Sequence, residues 1–403
     1  MMNYLISAYS VNPYKGSEDS IGWNWVLQYE KNYKEGDRII LLTKKFNEKD
    51  TRKGLKEFNI QHVELVIVDV PNALNWFREK HSAFHHMYYI LWQHWAWLWV
   101  KHSGIHFDVI HHVTMNDYRI PSEMYKAKGA KVIWGPMGGA QVTPKPLRVY
   151  EKNRLTATFR EFVNKSCSWN PFYKKALRSY YKIYCINNET QKQISHIVGK
   201  DVPLMPELAL RDDYKNLPIL EKTNDILKIV FVGRLIGKKG IAFLVDALSL
   251  MPTDMDWELL IFGDGDDRAL IEKQIADSGI GKNIKLMGNR PLNQIAEAYQ
   301  QADIFVLPSL RETSGNVLLE AMAYAVPIVA FDTSFCRLLK EVECGIFVNT
   351  EQALEGIKED YCKAIVMLGQ DKKMAKQMGL NGYKYVNSKL TWDEKYRIIV
   401  NDM

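Results

Sequence analysis

The stretch "LPSLRETSGNVLLEAMAYAVPIVAFDTS" (residues 307–334) leaves one apolar run, crosses a polar loop, enters a helix-like segment and reaches a second apolar run at "PIVAFDT" (327–333). Two short Ile/Val-rich runs joined through a helix are the building unit of a parallel sheet, because the helix carries the chain back across the sheet face. The loop holds Glu312 and the helix holds Glu320, with Ser314, Gly315 and Asn316 between them. Thr313 or Ser314 reads as the N-cap of that helix. The free amides behind it, at Asn316 and Val317, make an anion site suited to a diphosphate, and Gly315 lets a ligand approach the backbone closely. Glu320, about one turn into the helix, can accept two hydrogen bonds from a ribose diol. On spacing alone, two surface glutamates bracketing an ordinary helix start remain the other reading.

The same rhythm extends in both directions. Apolar runs recur at 227–233, 257–263, 283–288 and 302–308, each followed by a helix-like stretch. Earlier runs lie at 3–10, 37–43, 63–70, 107–114, 130–136 and 182–188, with a helix expected at about 19–33. Between about 200 and 226 the period fails and prolines accumulate. The expectation is an α/β chain of two Rossmann-like domains, residues 1–205 and 206–387. A terminal helix at about 388–403 is expected to pack back on the first domain. Ligands of such sheets sit beyond the carboxyl ends of the strands, so candidate residues are sought there.

"VFVGRLIGKKG" (230–240) places Arg234 and Lys239 five apart after a strand, as two cations able to neutralise a diphosphate. "IFGDGDD" (261–267) adds a post-strand turn at Gly263, read as solvated rather than metal-binding, and "MGNRP" (287–291) contributes Asn289 and Arg290. In the first half, Gly16 and Ser17 precede a helix whose start is marked by Ser17, Asp19 or Ser20. His111 and His112 end a strand, and alternation lets only one of them face a cleft. "WGPMGGA" (134–140) brings Gly138 and Gly139 to another strand end. The aromatic stripe 85–100 reads as a buried or docking helix, not a metal site.

The chain has 403 residues, 47% apolar and 25% charged. Its five cysteines form no Cys-x-x-Cys pair, which argues against a disulfide framework or zinc and for a reducing, cytoplasmic setting. No signal peptide and no long apolar span is recognised. The net charge of +6 is divided unevenly: residues 1–200 carry 29 Lys and Arg against 17 Asp and Glu. Segment 144–182 holds ten bases and two acids among aromatics. That composition suits an anionic partner, either a membrane surface or a phosphorylated acceptor, with a solvated helix face as the alternative and nucleic acid disfavoured.

Taken together, "GRLIGKKG" (233–240), "IFGDG" (261–265), "MGNRP" and residues 302–332 with the Glu312/Glu320 pair resemble the retaining glycosyltransferases of family four. "KGSEDSIGWNWV" (15–26), "HHVTMNDYRIPS" (111–122) and "WGPMGGA" look like one subset of that family. The resemblance implies the GT-B fold, two facing Rossmann-like domains with a cleft between them. It also implies transfer of a hexose-type sugar from a nucleotide-diphosphate donor to a glycan or lipid-linked acceptor, in polysaccharide or glycolipid synthesis.

By that resemblance Glu320 binds the donor ribose and Glu312 lies against the donor sugar. Arg234, Lys239 and the amides near Asn316 and Val317 hold the diphosphate, with Gly263, Asn289, Arg290, Ser314 and Gly315 lining the donor site. Gly16 and Ser17 close over the phosphates, and His111 contacts the sugar. His112, Gly138 and Gly139 lie on the acceptor side. No metal or other cofactor is implied, and peripheral contact with an anionic membrane through the basic first domain is. Two departures leave the donor open: Glu312-Thr313-Ser314-Gly315 stands where Glu-Gly-Phe-Gly is common, and Thr333-Ser334-Phe335 where Gly-Gly usually follows. A nucleotide-sugar 2-epimerase and an inactive scaffold of the same fold are the rival readings.

Overall fold

The structure, a computed structural model, describes residues 1–16, 18–71, 85–151, 154–222, 225–312 and 315–403. The chain divides into two compact units: residues 1–140, 164–207 and 392–403 form the first, and 141–163 with 208–391 the second.

The first unit is built from β1 (Asn3–Ser7), α1 (Glu18–Lys31), β2 (Arg38–Thr43), α2 (Glu48–Glu57), β3 (Val63–Ile67), α3 (His85–His102), β4 (Val109–His112) and β5 (Lys131–Met137). After α4 (Arg154–Cys167) come α5 (Pro171–Ser179), β6 (Lys182–Cys185) and α6 (Asn188–Val198). All strand pairs are parallel, in the order β3-β2-β1-β4-β5-β6. The central strands are Ile/Val/Leu runs buried along nearly their whole length, as expected where helices cover both faces. The aromatic stripe becomes α3, which buries Tyr88, Tyr89, Trp92 and Ala96 in the core. Its one indole in that group with a polar handle, Trp92, donates to the Val68 carbonyl at 2.9 Å.

The second unit repeats the plan with β7 (Leu227–Val232), α7 (Ile241–Leu248), β8 (Trp257–Phe262), α8 (Arg268–Asp277), β9 (Ile284–Gly288), α9 (Leu292–Gln301) and β10 (Ile304–Leu307). Then follow α10 (Asn316–Ala323), β11 (Ile328–Phe331), α11 (Ser334–Leu339), β12 (Gly345–Val348), α12 (Leu354–Gln370) and α13 (Lys372–Lys389). The sheet order, β12-β11-β10-β7-β8-β9, is the same doubly wound order read from the other edge. In each sheet the strand order reverses between two adjacent strands, β1 and β4 in the first unit and β7 and β10 in the second. Those are the topological switch points.

The division differs from the sequence boundary in one respect. Residues 141–163 pack with the second unit, because Tyr150 lies edge-on to Phe243, bonds Asp246 at 2.6 Å, and is followed by Glu151, 3.5 Å from Arg311. The terminal helix α14 (Trp392–Asn401) belongs to the first unit. Trp392 packs edge-on to Trp25, and Asp393 pairs with Lys31 at 2.6 Å. Lys395 is almost wholly buried, lies 4.2 Å over the Trp392 ring and donates to the Glu207 carbonyl; burial lowers its pKa to about 7. Among the described residues no helix is long and apolar enough to cross a membrane.

Candidate functional site

The loops after β7 and β10 meet at the switch point of the second unit, and two contacts hold them together. The Leu310 amide donates to the Lys238 carbonyl at 2.9 Å. Gly240, at φ +71°, seats its α-carbon against Pro308 so closely that a β-carbon would lie 1.9 Å from the Pro308 oxygen. No other residue type fits there, so the glycine seen in the sequence sets the distance between the two loops. Lys239 and Glu312 are thereby brought face to face, Nζ to Oε2 at 2.6 Å.

Glu312 is 7% exposed, and its Oε1 also accepts from the Gly315 amide at 3.3 Å. Burial alone would raise its pKa, but the Lys239 charge and its hydrogen bond, with help from Ser309 and Gly315, outweigh burial and lower it. The carboxylate is therefore held ionised. Around it the field is positive: burial, then Lys239, Arg234 and Arg311, depress the pKa of Lys238. Arg234 is exposed and makes no ion pair with any described residue. A ligand at this point meets one buried anion within a ring of cations.

The helix start differs from the sequence expectation. α10 begins at Asn316, and its N-cap is Gly315 in the left-handed region (φ 62°, ψ 40°), not Thr313 or Ser314. Here backbone geometry, not a side-chain hydroxyl, turns the chain, and Glu312 caps from outside through the Gly315 amide. Thr313, Ser314 and Ser17 lie outside the described residues. The first-turn amides of Asn316 and Val317 lack intrahelical acceptors. Further along, Tyr299 bridges the Val317 carbonyl (3.4 Å) and Glu320 Oε2 (3.1 Å). Burial raises the Glu320 pKa, opposed by the Tyr299 hydrogen bond and by Arg211. Tyr299 stacks on Tyr324 (5.6 Å, 11°), so Glu320 stands on an aromatic wall.

Gly263 is built into the adjoining turn, its amide donating to the Gly288 carbonyl at 2.8 Å. Asp264, in the same turn, pairs with Arg268 at 3.3 Å. Asn289 and Arg290 are exposed beyond β9, with Arg290 Nε on the Met287 carbonyl at 2.8 Å. Gly16, His111, His112, Gly138 and Gly139 belong to the first unit. Gly16 is exposed, with open space around it. Gly138 is buried and bonded to Asn116 and Tyr118, while Gly139 packs against Asp117.

The histidines require a correction. Neither faces open space: both are fully buried, on opposite sides of β4. His111 lies edge-on to Trp25 at 4.6 Å, with Nδ1 3.4 Å from the Tyr29 hydroxyl and Nε2 3.3 Å from the Gly135 carbonyl. His112 is held between the Ser7 hydroxyl (2.9 Å) and the Tyr89 hydroxyl (2.8 Å). Burial lowers the pKa of each to about 3, so both are neutral core residues. Covering helices α1 and α3 close over the strand end that alternation alone had left open.

Sequence reasoning missed Glu18 and Tyr299. Glu18 sits at the switch point of the first unit, where its carboxylate accepts from the amide of Met115, a residue with φ +56°. Burial raises its pKa, with the Met115 bond opposing. A carboxylate two residues beyond Gly16, after the first strand, was the available signal. Nothing local marks Tyr299, which comes from a different helix.

A family profile described as glycosyl transferases group 1 matches residues 227–368. Residues 227–368 are a group 1 glycosyltransferase domain. The amylovoran biosynthesis glycosyltransferase AmsK of Erwinia amylovora is 33% identical over 134 residues, 32% of this chain and 33% of that one. An uncharacterized glycosyltransferase of Methanocaldococcus jannaschii is 25% identical over 286 residues, 70% of this chain and 77% of that one. The first of these matches thus spans only about a third of its relative's length. Anabaena HepE in complex with UDP superposes with a TM-score of 0.60 at 14% identity over 100% of both chains, which establishes a shared GT-B fold. The Lys239–Glu312 pair, Gly315 and Glu320 all lie inside the group 1 domain.

Proposed function

We propose that the chain is a retaining glycosyltransferase that moves a sugar from a nucleotide-diphosphate donor to a glycan or lipid-linked acceptor in cell-surface polysaccharide or glycolipid synthesis. The observation that carries this reading is the buried Lys239–Glu312 pair at the switch point of the group 1 domain. Arg234, Lys239 and the Asn316 and Val317 amides take the diphosphate, supplying the charge neutralisation that a divalent metal supplies elsewhere. Glu320 accepts the ribose diol. Glu312 lies under the sugar, where a fixed negative charge favours an oxocarbenium-like transition state. The bond from the anomeric carbon to the diphosphate breaks as the acceptor oxygen bonds on the same face, and the acceptor proton passes to the departing phosphate oxygen. The UDP bound by HepE and the amylovoran pathway of AmsK support a nucleotide donor and a polysaccharide product. The first unit is the proposed acceptor unit, working in the cytoplasm at the inner face of a membrane.

The test is a thermal-shift panel of nucleoside diphosphates and nucleotide sugars. At about one hundred times its dissociation constant, the right ligand stabilises the fold by about 2.7 kcal/mol. Glu320→Ala weakens that shift. Because burial raises the Glu320 pKa above 4.5, wild-type affinity falls on acidification before an ordinary glutamate would titrate. Silence from every nucleotide, or an undiminished shift in Glu320→Ala, counts against the donor site.

A further inference from the structure

Segment 210–217 opens the second unit and is fixed to it at both ends. The Leu210 amide donates to the Leu390 carbonyl at 2.7 Å, the Asn216 amide to Asn387 Oδ1 at 2.8 Å, and the Tyr383 hydroxyl to the Leu217 carbonyl at 3.0 Å. All of these residues belong to the second unit. Within the segment Arg211 is exposed and forked on Asp213, Nε to Oδ1 at 3.0 Å and Nη2 to Oδ2 at 2.5 Å. Its guanidinium lies 5.2 Å over the ring of buried Tyr214. Tyr214 stands edge-on to Tyr324 at 5.9 Å, and Tyr324 is the ring stacked on Tyr299. Tyr299 in turn bonds Glu320 Oε2. A continuous series of rings thus runs from an anchored guanidinium to the carboxylate proposed for the ribose.

Two polar atoms along this wall are unused. Tyr299 takes Oε2 of Glu320, which leaves Oε1 with no hydrogen-bond partner among the described residues. Asp213 takes Nε and Nη2 of Arg211, which leaves Nη1 without one. The two side chains are near enough for the Arg211 charge to favour ionised Glu320, yet no ion pair joins them. A free acceptor and a free donor this close that do not meet suit a bridging group that donates and accepts at once. A hydroxyl does both. An exposed Arg–Asp pair contributes little to stability, so the Arg211–Asp213 fork is not needed to hold the fold.

We infer that Arg211 is a second ribose-binding residue of the donor site, its Nη1 donating to a hydroxyl that itself donates to Glu320 Oε1, so that the site selects ribonucleotides over deoxyribonucleotides. The inference rests on the proposed donor site and adds to it a determinant of specificity outside residues 227–368. The test uses UDP, ADP and GDP with their 2′-deoxy and 3′-deoxy forms, read on the full chain by thermal shift and titration calorimetry. Wild type should bind the ribo form of its preferred nucleotide about a hundredfold more tightly than the deoxy form lacking the bridged hydroxyl, because that form leaves a carboxylate and a guanidinium unpaired. Arg211→Met keeps alkyl packing on Tyr214 and leaves only the exposed Asp213 without its partner, so it should fold as wild type does. It should bind the ribo form about tenfold more weakly and that deoxy form nearly as wild type does, with the remaining preference supplied by Glu320. A purely structural role for Arg211 would instead weaken every form alike. A variant that keeps the wild-type preference overturns the inference and leaves the donor site in place. Equal binding of ribo and deoxy forms by wild type overturns it too, together with the ribose role of Glu320. Silence from every nucleotide removes the donor site itself, and the inference with it.

Discussion

Lys239→Ala is expected to destabilise the protein by about 3 kcal/mol at neutral pH, because it leaves the Glu312 charge buried without its nearest cation. The dependence on pH has a definite sign. In the wild type Glu312 titrates below 4.5, so its contribution is present above the unfolded pKa and is lost as pH falls through the folded one. Without Lys239, burial dominates and the carboxyl titrates above 4.5. The variant then loses stability as pH rises through that range. The gap between the two proteins should be widest near neutrality and narrow on acidification, as Glu312 of the variant takes up a proton. Urea denaturation at a series of pH values reads this directly. A gap that stays constant with pH would mean that Glu312 is not the group stabilised by Lys239.

Arg234→Ala should behave in the opposite way, sparing the fold and damaging the chemistry. The side chain is exposed and unpaired among the described residues, so stability should change by no more than about 0.5 kcal/mol. Charge on the leaving diphosphate grows in the transition state, and removing one preorganised cation lowers turnover by about two to three decades. Turnover should fall further than donor affinity, since the ground-state diphosphate keeps Lys239 and the α10 amides. Single-turnover rates with the donor identified by the nucleotide panel separate the two quantities. Wild-type rates would remove Arg234 from the site.

Much of this was legible before any coordinates. The Ile/Val runs mark eleven of the twelve strands found among the described residues, all but the short edge strand β12 (Gly345–Val348), because a doubly covered parallel strand must be apolar on both faces. Gly240 and Gly315 were visible as glycines at strand ends, although the 1.9 Å approach to Pro308 that requires the first appears only in three dimensions. The N-cap was misplaced because propensity favours a hydroxyl, whereas here a left-handed glycine turns the chain and a buried glutamate bonds its amide. His111 and His112 could not be judged from alternation, since the packing of α1 and α3 decides what strand ends see. Tyr299 and Glu18 owe their roles to contacts between elements far apart in sequence, which a single sequence does not encode locally. The pairing of Lys239 with Glu312 across 73 residues is of the same kind: each residue was picked out, but not their mutual contact.

The most direct test is a crystal structure of the full chain with the nucleoside diphosphate selected by the thermal panel. The account predicts the diphosphate at the β7–β10 switch point, within hydrogen-bonding distance of Arg234, Lys239 and the Asn316 and Val317 amides, with the ribose diol on Glu320. A diphosphate bound away from the β7–β10 loops, with Lys239 and Glu312 still closed on one another, would contradict it.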